Sequence, residues 1–492
     1  MEIESQTRTD LREDFEEIEY LYECLEENLE KFSIEIKKAK KYIAEKNYEL
    51  GLKYSEILRK EISLPRSHLD RLVKERSFPH IDELRIEKYR QQELLRFYYA
   101  SIGSLITSTD WQSPSYTHSL VSKAGRQSGQ ITGTINDYKR DVHLDEKKYE
   151  QLFLKEYIDA KLKLFLKAYL VNSGQAAFQT ILTFLMSEKK LTGKVLCGKS
   201  SYFQYKQILT GVFGKKLISV NENETDEILK RVQDDDLDAI FLDSLCNSPN
   251  LARPDLTRIF DFIYKNAGRE IYLVIDNTCL SVSCQPFLMR GRNKKVHLIT
   301  FESLNKYYQF GLDRVTAGII ICQNSDAGGI FEYRKHAGTN ITDSSVYALP
   351  VPNRKLLTRR LMRHQRNALI LAEYLDLLGN EKINKIVYPE IKSYPFSGSF
   401  FNIELIERYN TPLKMNKLIR IIINEAKKQK INITGGTSFG LNTTRIYLTS
   451  LWNKFGQPFL RISVGTEDIE EVEKMKAVFE NSISKILSGP EQ

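Results

Sequence analysis

At 492 residues the chain is too long for one simple core, so two or three domains are expected. Hydrophobic residues make up 41%, and 72 basic residues are interleaved with 64 acidic ones; the net charge of +8 therefore describes a mixed, solvated surface and argues against nucleic acid as a partner. No apolar run approaches a membrane span, Met1–Gln6 lacks the features of a secretory signal, and six scattered cysteines lack metal-ligand spacing, which together predict a cytoplasmic protein with buried thiols, no metal and no membrane contact.

Residues 1–100 are charged and helix-periodic. Leu11, Phe15, Ile18, Leu21, Tyr22 and Leu25 fall mostly at steps of three or four, with acids on the remaining positions. Ile36, Ala39, Tyr42 and Ile43 make a second stretch, and Tyr89, Leu94, Leu95 and Tyr98 a third, while Pro65 and Pro79 are expected to punctuate them. An N-terminal helical extension is predicted. Periodicity leaves two readings open for it: an interaction or oligomerisation module, or an appendage packed on the chain's own core.

Residues 101–150 open with a polar, Ser/Thr/Gly-rich run and are predicted to form an extended arm. Across 151–350, helix-length segments such as Asp255–Ala267 alternate with apolar runs. Lys194–Cys197, Lys216–Val220, Ala239–Asp243, Ile271–Asp276, His297–Phe301 and Ala317–Cys322 read as strands. Flat-apolar strands alternating with helices predict a largely parallel sheet covered on both faces. Residues 351–492 begin with a basic amphipathic helix over Lys355–Leu378 and continue as a smaller α+β domain that ends in a helix over Ile469–Leu487.

Ligand groups gather at the carboxyl ends of strands in doubly wound sheets. Asp276 ends one predicted strand, Asn247 follows another, and Ser303 and Lys306 follow a third. Ser173 and Gly174 open a helix, where backbone amides suit a phosphate dianion. Singly, each has an ordinary explanation as a turn or cap residue. An acid and a lysine in this order, however, are what pyridoxal phosphate needs: a carboxylate holds the pyridine nitrogen protonated, and an amine forms the Schiff base and moves protons.

With these residues in place, the chain resembles the cystathionine γ-synthase, cystathionine lyase and methionine γ-lyase group of fold-type I PLP enzymes. The resemblance runs through Tyr138-Lys139-Arg140, Ser173-Gly174-Gln175-Ala176-Ala177, Tyr202, Asp243-Ser244-Leu245-Cys246-Asn247, Asp276-Asn277-Thr278, Ser303-Leu304-Asn305-Lys306-Tyr307, Arg363–Ala368 and Arg461–Asp468. It implies an α/β fold with a mostly parallel large-domain sheet and a small C-terminal domain, and pyridoxal 5'-phosphate as cofactor. Lys306, Tyr202 and Asp276 would be catalytic. Ser173, Gly174, Gln175, Asn247, Asp276, Thr278, Ser303 and Asn305 would hold the cofactor, with Tyr138 and Arg140 reaching it from a neighbouring subunit of a homodimer or homotetramer. Arg461 would clamp the carboxylate of an amino-acid substrate.

The implied reaction is β- or γ-elimination or replacement. A PLP enzyme acting on an unusual non-sulfur amino acid is the alternative, and a cofactor-free scaffold a more distant one. Departures from the family pattern, such as Gly311-Leu312-Asp313-Arg314 and the run Thr434–Phe439, cluster where side-chain specificity is set, so the substrate is not legible.

Overall fold

The computed structural model describes residues 2–40, 44–74, 80–107, 139–160, 165–379, 381–389, 394–449 and 459–485. Three long helices come first: α1 (Glu2–Ala39), α2 (Glu45–Lys74) and α3 (Ile81–Thr107). The apolar stripe of α1 is fully used, since Leu11, Phe15, Ile18, Leu21, Tyr22 and Leu25 are all buried. Pro65 lies inside α2 instead of ending it, and the turns around it bury Ile62 and Leu69 in the cluster shared with α1. Helix α3 continues past residue 100 to Thr107, into the stretch expected to be an arm, because Ile102, Leu105 and Ile106 extend its buried face. Of the rest of that stretch, 108–138 lies outside the described residues, as do Tyr42, Ile43 and Pro79, and its last residues, from Asp145, are helical and not extended.

After α4 (Asp145–Tyr157) comes a seven-stranded sheet: β1 (Leu166–Val171), β2 (Lys194–Gly198), β3 (Leu217–Val220), β4 (Leu237–Asp243), β5 (Ile271–Asp276), β6 (Val296–Ser303) and β7 (Gly318–Gln323). The spatial order is β1-β7-β6-β5-β4-β2-β3, with β7 alone running against its neighbours. Successive residues feed opposite cores: Ile240 and Leu242 join one cluster, Ala239 and Phe241 the other. This two-sided burial is why the strands read as flat-apolar. The covering helices include α5 (Gly174–Ser187), α6 (Phe203–Phe213), α7 (Thr225–Asp234), α8 (Leu256–Asn266) and α9 (Asn324–His336). Asp255 caps α8 by accepting from the Arg258 amide at 3.1 Å.

Helix α10 (Arg354–Leu377), capped by Asn353, leads to a second sheet of order β10-β11-β12-β9-β8, built from β8 (Ile383–Val387), β9 (Phe400–Leu405), β10 (Ile433–Gly435), β11 (Thr444–Thr449) and β12 (Phe459–Ser463). Helices α11 (Pro412–Lys428) and α12 (Ile469–Lys485) close its own hydrophobic core. The N-terminal helices pack on this body through buried ion pairs. Asp10 takes both Arg366 guanidinium nitrogens at 2.8 Å and the Ile469 amide at 2.9 Å, and Arg85 forks onto Asp468 at 2.6 and 2.8 Å. Among the described residues the extension packs on the chain's own core. No helix among the described residues is long and apolar enough to cross a membrane.

Candidate active site

The parallel register of β4, β5 and β6 brings their carboxyl ends side by side. Asp243 pairs with Asp276, and Asp276 with Phe301 just before Ser303. From there the chain turns sharply. Asp276 Oδ1 accepts from the Thr278 amide at 3.0 Å, and Thr278 Oγ1 accepts from the Ser303 amide at 2.9 Å. The start of α5 is pressed against the same turn. A Cβ on Gly174 would lie 2.9 Å from Ser303 Cβ, so only glycine allows the approach. Ser173 caps the helix by accepting from the Ala176 amide at 3.0 Å, while the Gly174 and Gln175 amides find no partner among the described residues. A helix N-terminus with two free amides, ringed by Thr278 and Ser303 hydroxyls, is a cradle for a phosphate dianion.

Lys306 follows β6 and is half-buried, its Nζ 3.2 Å from Ser438 Oγ and 5.3 Å from the Phe439 ring centre. Burial, and then the Arg461 charge, lower the proton affinity of this amine. Arg461 on β12 is 2% exposed and donates to the Thr437 carbonyl. Phe400 and Phe439 ring centres lie 5.7 Å from its guanidinium carbon and Tyr447 lies 6.0 Å away. Among the described residues its Nε has no partner and no carboxylate bonds it. A buried arginine without an acid is costly unless a ligand supplies one. Burial pulls the guanidinium pKa down, yet arginine remains charged at neutral pH.

The acids show the complementary imbalance. Burial raises the Asp276 carboxyl, with Thr278 hydrogen bonds and the Lys306 charge only partly opposing it. Asp243 is pushed well up by burial and then by Asp276, while Tyr205 donates a hydrogen bond to it and the Tyr202 amide donates at 3.0 Å. Asp276 thus lacks the cation that would hold it ionised, which a protonated pyridine nitrogen would be. Asn247 Oδ1 is another buried atom without a partner. The free amides, the glycine-dependent cradle and the cation-poor Asp276 fit pyridoxal phosphate.

The structure draws most of the expected residues to these strand ends. Tyr202, at the head of α6, belongs to the same cluster: burial and the Asp276 charge raise its phenol pKa while Arg461 opposes them, and its hydroxyl bonds Gln204 Oε1 at 3.0 Å. Asn305 Oδ1 accepts from the Ala317 amide at 2.8 Å, tying the lysine turn to β7. One expected residue is not brought in. Arg140 is largely exposed and pairs with Asp141 at 2.9 Å, and Tyr138 lies outside the described residues. Sequence reasoning missed Ser438 and Phe439 as Lys306 neighbours, and the Cys279 thiol, whose proton affinity burial raises while the Arg461 and Lys306 charges oppose it. Ser438 and Phe439 come from the small domain, so only the folded chain sets them beside residue 306. Cys279 could have been suspected from its place directly after Asp276-Asn277-Thr278.

Comparison with known proteins agrees with this geometry. The bifunctional enzyme flvA of Aspergillus flavus is 24% identical over 313 residues, covering 62% of this chain and 38% of that protein. Cystathionine gamma-synthase of Haemophilus influenzae is 23% identical over 381 residues, 72% of this chain and 94% of that one. The chain covers only 38%, 54% and 35% of the length of three such relatives. Among solved structures, cystathionine gamma synthase from Xanthomonas oryzae pv. oryzae, in complex with aminoacrylate and cysteine, superposes with a TM-score of 0.57 at 16% identity, over 72% of this chain and 88% of that one. Cystathionine gamma-lyase from Lactobacillus plantarum, complexed with L-serine, gives 0.57 at 18% identity, over 72% and 91%. These show the fold-type I architecture. Residues 106–404 match the family described as Cys/Met metabolism PLP-dependent enzyme, and the chain belongs to it.

Proposed function

We propose that the protein is a PLP-dependent lyase or transferase that carries out β- or γ-elimination or replacement on an amino acid. The observation that carries this reading is Arg461: a buried guanidinium with no acid of its own, in the same site as a half-buried lysine. Its planar fork fits a carboxylate in two bonds. The cofactor, when bound, supplies an electron sink for a carbanion at the substrate's Cα. Gly174 and Gln175 amides with Thr278 and Ser303 would hold its phosphate, Asp276 would anchor its ring nitrogen, and Asn247 would bond its phenolic oxygen. Lys306 Nζ, with its proton affinity lowered, would take the proton from Cα and pass it on to the departing substituent. Tyr202 would pack on the ring, closing that face to water. Arg461 fixes the carboxylate so that the Cα proton lies toward Lys306.

The similarity to cystathionine enzymes supports a sulfur-linked substrate over an unusual non-sulfur amino acid. Intact Lys306, Asp276 and Arg461 speak against a cofactor-free scaffold. We further propose a cytoplasmic homodimer or homotetramer in which Tyr138 and Arg140 reach a neighbour's phosphate site. All six cysteines are free thiols, which supports a reducing compartment. The exposed position of Arg140 suits a role outside its own subunit. Adding PLP to the purified chain should produce the visible absorption of lysine-bound cofactor, and L-cystathionine or an O-acyl-L-homoserine should be turned over. A chain that stays colourless with added PLP and turns over neither compound refutes the assignment.

A further inference from the structure

The loop between β10 and β11 touches both ends of the chemistry. Thr437 accepts from Arg461, Ser438 Oγ lies 3.2 Å from Lys306 Nζ, and Phe439 faces both cations. The loop is short of support from its own domain, because Thr437 is exposed and Ser438 only half-buried. Its far end is clamped from elsewhere. Arg360 on α10, 2% exposed at its side chain, donates to Asn442 Oδ1 at 2.6 Å and to the Gly440 carbonyl at 3.3 Å. At Gly440 the chain has φ +78°, and a Cβ there would sit 3.0 Å from the Lys306 carbonyl carbon, so loop and lysine turn interlock.

The other nitrogen of the same guanidinium, Nη1, is taken by Glu17 of helix α1 at 2.9 Å. Glu17 is the only acid paired with Arg360 among the described residues, and its side chain is 12% exposed. Arg360 is thus a two-sided fork, with the N-terminal extension on one tine and the loop beside Lys306 and Arg461 on the other. An arginine with one tine unheld keeps several rotamers open, and the loop it bonds would follow it.

We infer that Glu17 is a positioning residue for substrate binding: through Arg360 it holds Thr437–Asn442 in the place from which Arg461 meets the substrate carboxylate. The N-terminal helices are therefore part of the active-site scaffold. The inference rests on the carboxylate-clamp reading of Arg461, and the two are separable by experiment.

Two probes of the cofactor-loaded enzyme distinguish positioning from mere stabilisation. Aminooxyacetate and hydroxylamine both displace Lys306 from the cofactor through the same –O–NH2 group and bleach its absorption, but only the first carries a carboxylate. The ratio of their bleaching rates reads the carboxylate contact alone. Glu17→Gln should lower that ratio about tenfold, toward the value for Arg461→Met, with the hydroxylamine rate unchanged. Glu17→Asp should recover part of it. In the cofactor-free chain, amide hydrogen exchange across Thr437–Asn442 should quicken in Glu17→Gln. Should Glu17→Gln fail to fold, Arg360→Lys, which keeps the charge and loses the fork, should show the same fall. If Arg461→Met collapses the ratio while Glu17→Gln and Arg360→Lys keep it at the wild-type value, the positioning role of Glu17 is overturned. If Arg461→Met leaves the ratio unchanged, the clamp reading itself fails.

Discussion

Replacing Arg461 by methionine should pull function and stability in opposite directions. In the ligand-free chain the guanidinium is buried with one hydrogen bond, to the Thr437 carbonyl, an unpartnered Nε and no acid. Exchanging a poorly compensated buried charge for an apolar group of similar length commonly stabilises by about 1–4 kcal/mol, and methionine can keep the packing against Phe400 and Phe439. Losing the Thr437 bond takes back about 1 kcal/mol, so a net gain on the order of 1–2 kcal/mol is expected. On the substrate side a charge-assisted fork contributes about 3 kcal/mol, so kcat/KM for a carboxylate-bearing amino acid should fall by roughly 100-fold. Melting temperatures of the cofactor-free proteins and steady-state kinetics of the loaded ones test both halves. A variant that melts several degrees lower than wild type, with kcat/KM intact, would mean that the guanidinium is a structural prop and refute the reasoning.

Lys306→Ala should abolish the visible absorption that PLP gives the wild type while leaving the melting temperature of the cofactor-free chain unchanged or higher, since a half-buried amine is removed. Gly174→Ala should weaken PLP binding at least about tenfold in equilibrium dialysis, despite alanine's better helix propensity of ~1 kcal/mol, because its Cβ pushes the cradle off Ser303. Burial pushes the Glu302 carboxyl up to about 8, against about 4.3 in an unfolded chain, so between these values the folded state holds more protons and stability falls as pH rises, by a few kcal/mol in all. Glu302→Gln should flatten the fall in melting temperature between pH 5 and pH 9, by ~1.4 kcal/mol for each pH unit removed from the window; an unaltered slope would place the titrating group elsewhere. Asp10→Ala takes the buried acid from Arg366, one of the acids from Arg363 and the acceptor from the Ile469 amide, and should cost about 3–5 kcal/mol, read as a lower melting temperature.

What was legible in the sequence is what local patterning encodes. The strands around Asp243, Asp276 and Ser303 were found to within a residue or two because they are buried on both faces, and α8 because Leu256, Ile259, Phe260 and Ile263 keep helical spacing behind the Asp255 cap. Strand β1 was not recognised, since Leu166–Val171 carries a lysine and a half-exposed tyrosine and gains its identity by pairing with β7. The reversed direction of β7 was equally hidden, because direction is set by pairing and not by composition. At the site, residues at strand ends and the α5 start were readable from order and spacing. The run Thr434–Phe439 was placed near the substrate, but not the contacts of Ser438 and Phe439 with Lys306, nor Glu17 behind Arg360, for these join another domain or helix across more than a hundred residues of chain.

Where the N-terminal helices dock explains why they matter beyond packing. Arg360, Arg363 and Arg366 lie on one stretch of α10 and are met by Glu17, Glu13 and Asp10 of α1, while Arg85 and Lys88 of α3 meet Asp468 and Asp14. The acids at 467–468 end the segment that begins with Arg461 on β12, and Glu467 accepts from the Thr444 amide on β11. Helices α1 and α3 therefore grip both sides of the small domain that carries the carboxylate clamp. Opposed charges at this density are expensive to separate once desolvated, so the small domain and the extension should move as one body. In that case the small domain does not swing away from α1 as an amino acid binds, and the loop Thr437–Asn442, clamped by Arg360, stays beside the turn at Lys306.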